Sequence, residues 1–157
     1  MTGAIAGVSC ANGNIHHFVC VKEDGTLGHL TAVTDEAGEI VWFNGNLSGR
    51  AHGQSRIAIG CPNPTDPSPQ LDVLYQLPSG DVVRSTRNAT TQQWGESESN
   101  PPLIALLFTD LSVFSITEDQ SSYVYIGTSL AVNYRNADRP FYWYVNEQLY
   151  SYLAFHA

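Results

Sequence analysis

The chain has 157 residues, which suits one domain large enough to bury its own apolar core. Its 43% hydrophobic and 14% charged residues exclude a disordered polymer. A net charge of −8 argues against nucleic acid and anionic membrane as partners, since both need clustered Lys and Arg. In chain order, alternating apolar segments predict strands at 4–10, 15–21, 26–33 and 39–43, broken by the turns ANGN, EDG and DEAG. A second group follows at 56–61, 71–76, 81–85 and a strand ending near Trp94. Its first connector, CPNPTDPSP, is too proline-rich to pair and reads as an exposed loop. Shorter groups follow at 103–109, 112–117 and 123–127, then at 130–134, 141–145 and 149–155. Helical periodicity is nearly absent.

These groups repeat one phrase. IAGVSC followed by NIHHFVCVKEDGTLGHL returns as RIAIGC with QLDVLYQLPSGDVVR, and more loosely from Leu103 and from Ser129. Self-similarity at such spacing marks a repeat architecture, because one small sheet cannot bury its apolar face alone. The fold class is therefore all-β, a β-propeller-like series of short antiparallel sheets, with a closed β-barrel as the alternative. One domain, 1–157, divides into approximate blades at 3–50, 54–98, 101–127 and 128–157, with the segment 95–102 (GESESNPP) as the best internal boundary. About three and a half blades do not close a ring, so a homo-oligomer, a dimer in the simplest case, is expected to complete it.

Cys10, Cys20 and Cys61 lack CxxC spacing. Antiparallel pairing about ANGN keeps Cys10 and Cys20 too far apart for a disulfide, so buried free thiols and a reducing compartment are expected. The N-terminus lacks the basic and apolar regions of a secretory signal, which gives the sequons at Asn46 and Asn88 little weight and predicts a cytoplasmic location.

The motifs IAGV, HFVCVKEDGTL and WFNGNL (42–47), then IAIG, DVLYQLPSGDVV and Trp94, resemble the blades of the fungal fucose-specific lectins, six-bladed β-propellers of the Aleuria type. That resemblance implies sugar sites between blades, each with an Arg on the second strand, a Glu on the third, and aromatic side chains against the sugar's apolar edge. In this sequence His17 takes the place of that Arg and His29 that of the Glu. In the second group Asp72 and Arg84 stand there with charges reversed; the third offers Ser112, the fourth Phe141 with Ser151. No repeat keeps the Arg/Glu pair.

His17 and His29 have the same separation as Asp72 and Arg84, and an odd hairpin count would set each pair directly opposite on one face. For Asp72 and Arg84 this predicts a cross-strand ion pair worth at most ~1 kcal/mol, or a ligand role. For the histidines it predicts half-exposed strand residues, or a pocket that moves protons near neutral pH. His16 and His17 point to opposite faces, so no metal site is expected, nor any cofactor. Trp42, Trp94 and Trp143 complete the expected ligand-binding set of His17, His29, Asp72 and Arg84. The leading expectation is lectin-like binding of a small molecule or sugar in aromatic clefts between blades. The alternative is a cofactor-free cyclase, isomerase or hydrolase for an apolar metabolite, with His17 and His29 as catalytic candidates.

Overall fold

The computed structural model describes residues 3–53 and 55–97, with five later strand segments at 103–104, 111–116, 121–126, 129–133 and 143–144. The first sheet holds β1 (Ile5–Cys10), β2 (Ile15–Val21), β3 (Leu27–Thr34) and β4 (Ile40–Asn44), all antiparallel and in chain order. The second holds β5 (Ile57–Gly60), β6 (Leu71–Gln76), β7 (Asp81–Arg87) and β8 (Trp94–Ser97) in the same order. β9 (Leu103–Ile104) joins it by pairing with the start of β7, so β8 and β9 share that strand's outer edge. The third holds β10 (Leu111–Ile116), β11 (Ser121–Ile126), β12 (Ser129–Asn133) and β13 (Trp143–Tyr144).

Local chemistry makes the first two sheets near copies. Asp24 accepts from the Thr26 amide and hydroxyl in the β2–β3 turn, which closes through left-handed Gly25. Gly80 is left-handed in the β6–β7 turn, where the backbone bonds Leu77 to Asp81 and Gly80 to Leu77 repeat those of Lys22 to Thr26 and Gly25 to Lys22. A side chain at these positions would meet the left-handed strain that glycine avoids.

Burial alternates along β2, and apart from Ala32, which lies on the far face, the buried set of the first sheet lies on one face. Val19, Val21 and Leu27 of that face pack with Ile57, Ile59, Leu71, Val73, Tyr75 and Val83 of the second sheet. β6 is buried at every residue, as a strand enclosed on both faces must be. Its other face looks to the third sheet, whose β10 packs on β5 and β6. β5 also packs on β1, so the first strands of the three sheets stand side by side, as the inner strands of propeller blades do.

Three expectations need correction. β11 pairs with β12, so a boundary at 127/128 falls inside a sheet, and the expected third and fourth groups build one blade. The short IGTS connector between them reads as a break only because its two strands are both apolar. Residues 95–97 lie in β8, which starts at Trp94, so the segment 95–102 is not a boundary loop throughout. Cys20 is half-buried rather than buried. Cys10 and Cys20 do lie far apart: Cys10 pairs with Ile15 and Cys20 with Ile5. Residues 149–155, expected as a closing strand, lie outside the described residues.

Candidate cleft between the first two sheets

The buried face of the first sheet carries an imidazole pair. His17 on β2 stands opposite Thr31 on β3, and His29 stands opposite Val19, so the two histidines are diagonal neighbours on one face. They do not face each other directly as expected, because the β2–β3 register places His17 two residues beyond His29's partner. Diagonal spacing still permits contact between long side chains. His17 Nδ1 lies 3.2 Å from His29 Nε2 and 3.1 Å from Thr31 Oγ1, and Thr31 Oγ1 lies 3.4 Å from His29 Nε2.

Both histidines are buried, at 2% and 7% exposure, not half-exposed. Burial first, then the positive charge of His29 and Arg87, holds His17 down to about 4. Burial and Arg87 hold His29 down to about 4 as well. The expected proton transfer near neutral pH is thereby displaced: both rings are neutral at pH 7.

A neutral imidazole carries one N–H. Since one ring donates to the other, the outward nitrogens, His17 Nε2 and His29 Nδ1, are one donor and one acceptor. A β-carbon at Gly45 would sit 1.8 Å from His29 Nδ1, so this nitrogen is walled by the glycine backbone. Both outward nitrogens are buried without a partner among the described residues, so one of them carries an unpaired N–H.

The second sheet supplies the facing wall. Arg87 pairs with Trp94 across β7 and β8, on the face that packs on the first sheet. The Trp94 indole meets His29 edge-on, with ring centres 5.5 Å apart. His17 Nε2, Arg87 Nε and Trp94 Nε1 are all buried and have no hydrogen-bond partner among the described residues. Phe43, opposite Thr31 on β4, is exposed at the outer end of the same face. The junction thus brings together a neutral imidazole pair, the buried N–H donors of Arg87 and Trp94, and the aromatic rings of Trp94 and Phe43. Arg87, Thr31, Phe43 and Gly45 were missed from sequence; the W-x-x-G spacing of WFNGNL was the available signal for Gly45.

Asp72 and Arg84 occupy the matching register one sheet later. Asp72 stands opposite Thr86, as His17 stands opposite Thr31, and separations of 12 and 14 residues recur in both sets. Arg84 donates from Nε to Oδ1 at 3.1 Å and from Nη2 to Oδ2 at 2.8 Å, and the Thr86 hydroxyl adds a 2.8 Å bond to Oδ1. The ion pair expected from sequence is present, but buried rather than surface-exposed, so the ~1 kcal/mol ceiling does not apply. It faces the third sheet and is not part of the first cleft.

Trp42 stands opposite Ala32 on the far face of the first sheet, outside the cleft. Trp143 pairs with Asn133 on β13, and Ser112 with Tyr125 on β10. Phe141 and Ser151 lie outside the described residues. His16 points away from His17 and shares a 2.9 Å hydrogen bond with Ser9. Among the described residues, no three His, Cys, Asp or Glu side chains gather at metal-binding distance.

The cysteines form a feature that sequence spacing hid. Cys10 ends β1, Cys61 follows β5, and their thiols hydrogen-bond across the junction of the two sheets. Cys10 donates, which with burial pushes its ionisation well up; the accepted bond draws Cys61 down.

No protein-family model matches this sequence, and no curated protein does. Solved structures do. The six-bladed β-propeller lectin of Aleuria aurantia, described with a fucose recognition mode, aligns with TM-score 0.67 at 17% identity over 92% of this chain and 46% of its own. AofleA from Arthrobotrys oligospora aligns with TM-score 0.70 at 14% identity, over 92% of this chain and 42% of its own. SapL1 lectin, solved with α-methyl fucoside, aligns with TM-score 0.52 at 10% identity over 92% and 65%. This chain has the propeller fold of these lectins, and it spans about half the length of the first two.

Proposed function

We propose that the chain is a carbohydrate-binding propeller segment that takes a sugar in the cleft between its first two sheets. The carrying observation is the set of buried nitrogens His17 Nε2, Arg87 Nε and Trp94 Nε1 at one junction, unpartnered among the described residues, of which Arg87 Nε and Trp94 Nε1 are donors. Donors held in a low-dielectric cleft favour a ligand rich in oxygen acceptors, and the hydroxyl and ring oxygens of a sugar supply them at fixed geometry. Trp94 and the exposed Phe43 offer flat apolar surface for the C–H face of a pyranose. The fold likeness to fucose-binding lectins supports the same ligand class. Their Arg/Glu pair is replaced here by His17 and His29, so the donors come from the neighbouring sheet instead.

A cofactor-free enzyme with His17 and His29 moving protons has less support. A general base works best when it titrates near the working pH, and both rings are held near 4. Titration calorimetry against neutral monosaccharides and their methyl glycosides tests the binding reading. Binding is expected, with a loss of tenfold or more in Trp94→Ala and in Arg87→Gln. No binding at millimolar sugar, or binding that both variants leave intact, overturns it.

A further inference from the structure

The two buried thiols form a cluster that the candidate cleft does not use. Cys10 is the last residue of β1 and Cys61 follows β5, and these strands pack side by side where the first two sheets meet. At 1% and 7% exposure, both belong to the shared apolar core. A hydrogen bond between the thiols brings the two sulfurs into direct contact, the arrangement a disulfide needs. Cys20 does not compete for either of them. It stands opposite the exposed Ile5, on the far face of the first sheet.

The surroundings of the two sulfurs differ. After Cys61 the proline-rich loop turns back on itself: the Asp66 amide donates to the Asn63 carbonyl, and the Thr65 hydroxyl donates to the Asn63 side chain. That turn aims the Asn63 amide at the Cys61 sulfur, which also accepts from Cys10. The bond from Cys10 first, then the Asn63 amide, draws Cys61 ionisation down against burial and the Asp66 and Asp72 carboxylates. Cys10 is the donor of the pair and the more deeply buried, so it keeps its proton, although Arg87 lies near it. The thiolate is the nucleophilic form, so the two cysteines are suited to different steps.

We infer that Cys10 and Cys61 are a reactive thiol pair that hydrogen peroxide closes to a disulfide, and that this bond staples the first sheet to the second. Cys61 attacks one peroxide oxygen and the O–O bond breaks. Cys61 becomes a sulfenic acid, and the other oxygen leaves as water with the Cys61 proton. Cys10 then attacks the sulfenic sulfur, the S–O bond breaks, and a second water leaves with the Cys10 proton. The two thiols lose two electrons and one peroxide gains them. Burial selects so small an oxidant over a bulky disulfide, and Cys61, the less buried, meets it first. The bond closes a loop of about 50 residues, which raises the entropic cost of unfolding. That loop holds β2 to β5, and so both strands that carry His17 and His29. The inference does not depend on sugar binding.

Peroxide treatment of the reduced full chain, followed by alkylation and peptide mass spectrometry, tests the inference without any variant. The expected product is a single chain lighter by two hydrogens, with Cys10 linked to Cys61 and Cys20 alkylated. The linked form should melt roughly 10 °C above the reduced form, and dithiothreitol should reverse the shift. Dimedone, which traps sulfenic acids, separates the two roles. Cys10→Ser should leave a trapped sulfenic acid on Cys61, whereas Cys61→Ser should leave Cys10 unlabelled. Cys20→Ser should form the link as fast as the unmodified chain. The inference is overturned if Cys10 and Cys61 both remain alkylatable after Cys20 has been oxidised. A link from Cys10 to Cys20, or between two chains, also overturns it, as does a linked form that melts no higher. Dimedone on Cys10 in the Cys61→Ser chain overturns the order of attack.

Discussion

Arg84 holds Asp72 with two parallel hydrogen bonds at the register positions that His29 and His17 occupy one sheet earlier. One structural slot thus accommodates either a charged pair or a neutral imidazole pair. Each solution satisfies the same requirement, that polar side chains enclosed between two sheets find partners.

Removing one member of the ion pair leaves the other charged and buried. Asp72→Ala and Arg84→Ala are each expected to cost ~3–5 kcal/mol in urea unfolding. The double replacement Asp72→Leu with Arg84→Met should recover most of that loss. Single-variant costs under ~1 kcal/mol would show that solvent reaches the pair.

The histidines make stability depend on pH. In the unfolded chain each titrates near 6.5, and in the fold each is held to about 4. Above about pH 6.5 neither state takes up the extra proton. Between 6.5 and 4 the unfolded chain binds protons that the fold refuses, so stability falls as pH falls through this window, and the loss is complete below about 4. The total is of the order of a few kcal/mol. Melting temperatures from pH 7.5 to 4 should show this decline, and His17→Gln with His29→Gln should flatten it.

Gly45 serves close approach, not backbone freedom. Gly45→Ala would drive a methyl group into the His29 ring, with an expected cost of ~1–3 kcal/mol. Because the strain is specific to that contact, the same substitution in a His29→Ala background should cost little. A double-mutant cycle that finds the two changes additive would refute the contact.

Thiol reactivity should divide the cysteines. Cys20 is half-exposed on β2, while Cys10 and Cys61 are buried against each other. One equivalent of an aromatic disulfide reagent should react quickly with the folded chain and three in urea. Rapid reaction of all three without denaturant would contradict the buried pair.

Strand periods, D-G and S-G turns and the recurring I-A phrase carried the first seven strands to within a residue or two at each end, since those signals are local, whereas the strand expected to end near Trp94 begins there. Grouping failed where it depended on pairing partners: nothing in a short connector such as IGTS says that β11 continues into β12. The site divided along the same line. His17 and His29 were visible because their spacing repeats in Asp72 and Arg84. Arg87 and Trp94 join them only through the packing of one sheet on another, and Trp94 was legible as an aromatic without its partner. Arg87 was hidden behind Arg84, three residues away on the opposite face. Diagonal pairing also escaped notice, because register depends on the turn's hydrogen bonds as well as its length.

β4 has a further consequence. All five of its residues are exposed, four of them the apolar run Ile40 to Phe43, on a strand whose outer edge pairs with no other strand among the described residues. Such an edge invites intermolecular strand addition. The acidic turn before it, Asp35, Glu36 and Glu39, and the overall charge of −8 set up repulsion between approaching chains. Colloidal stability therefore hinges on carboxylate ionisation: turbidity should rise sharply as pH approaches the isoelectric point near 4.8, well before the backbone unfolds.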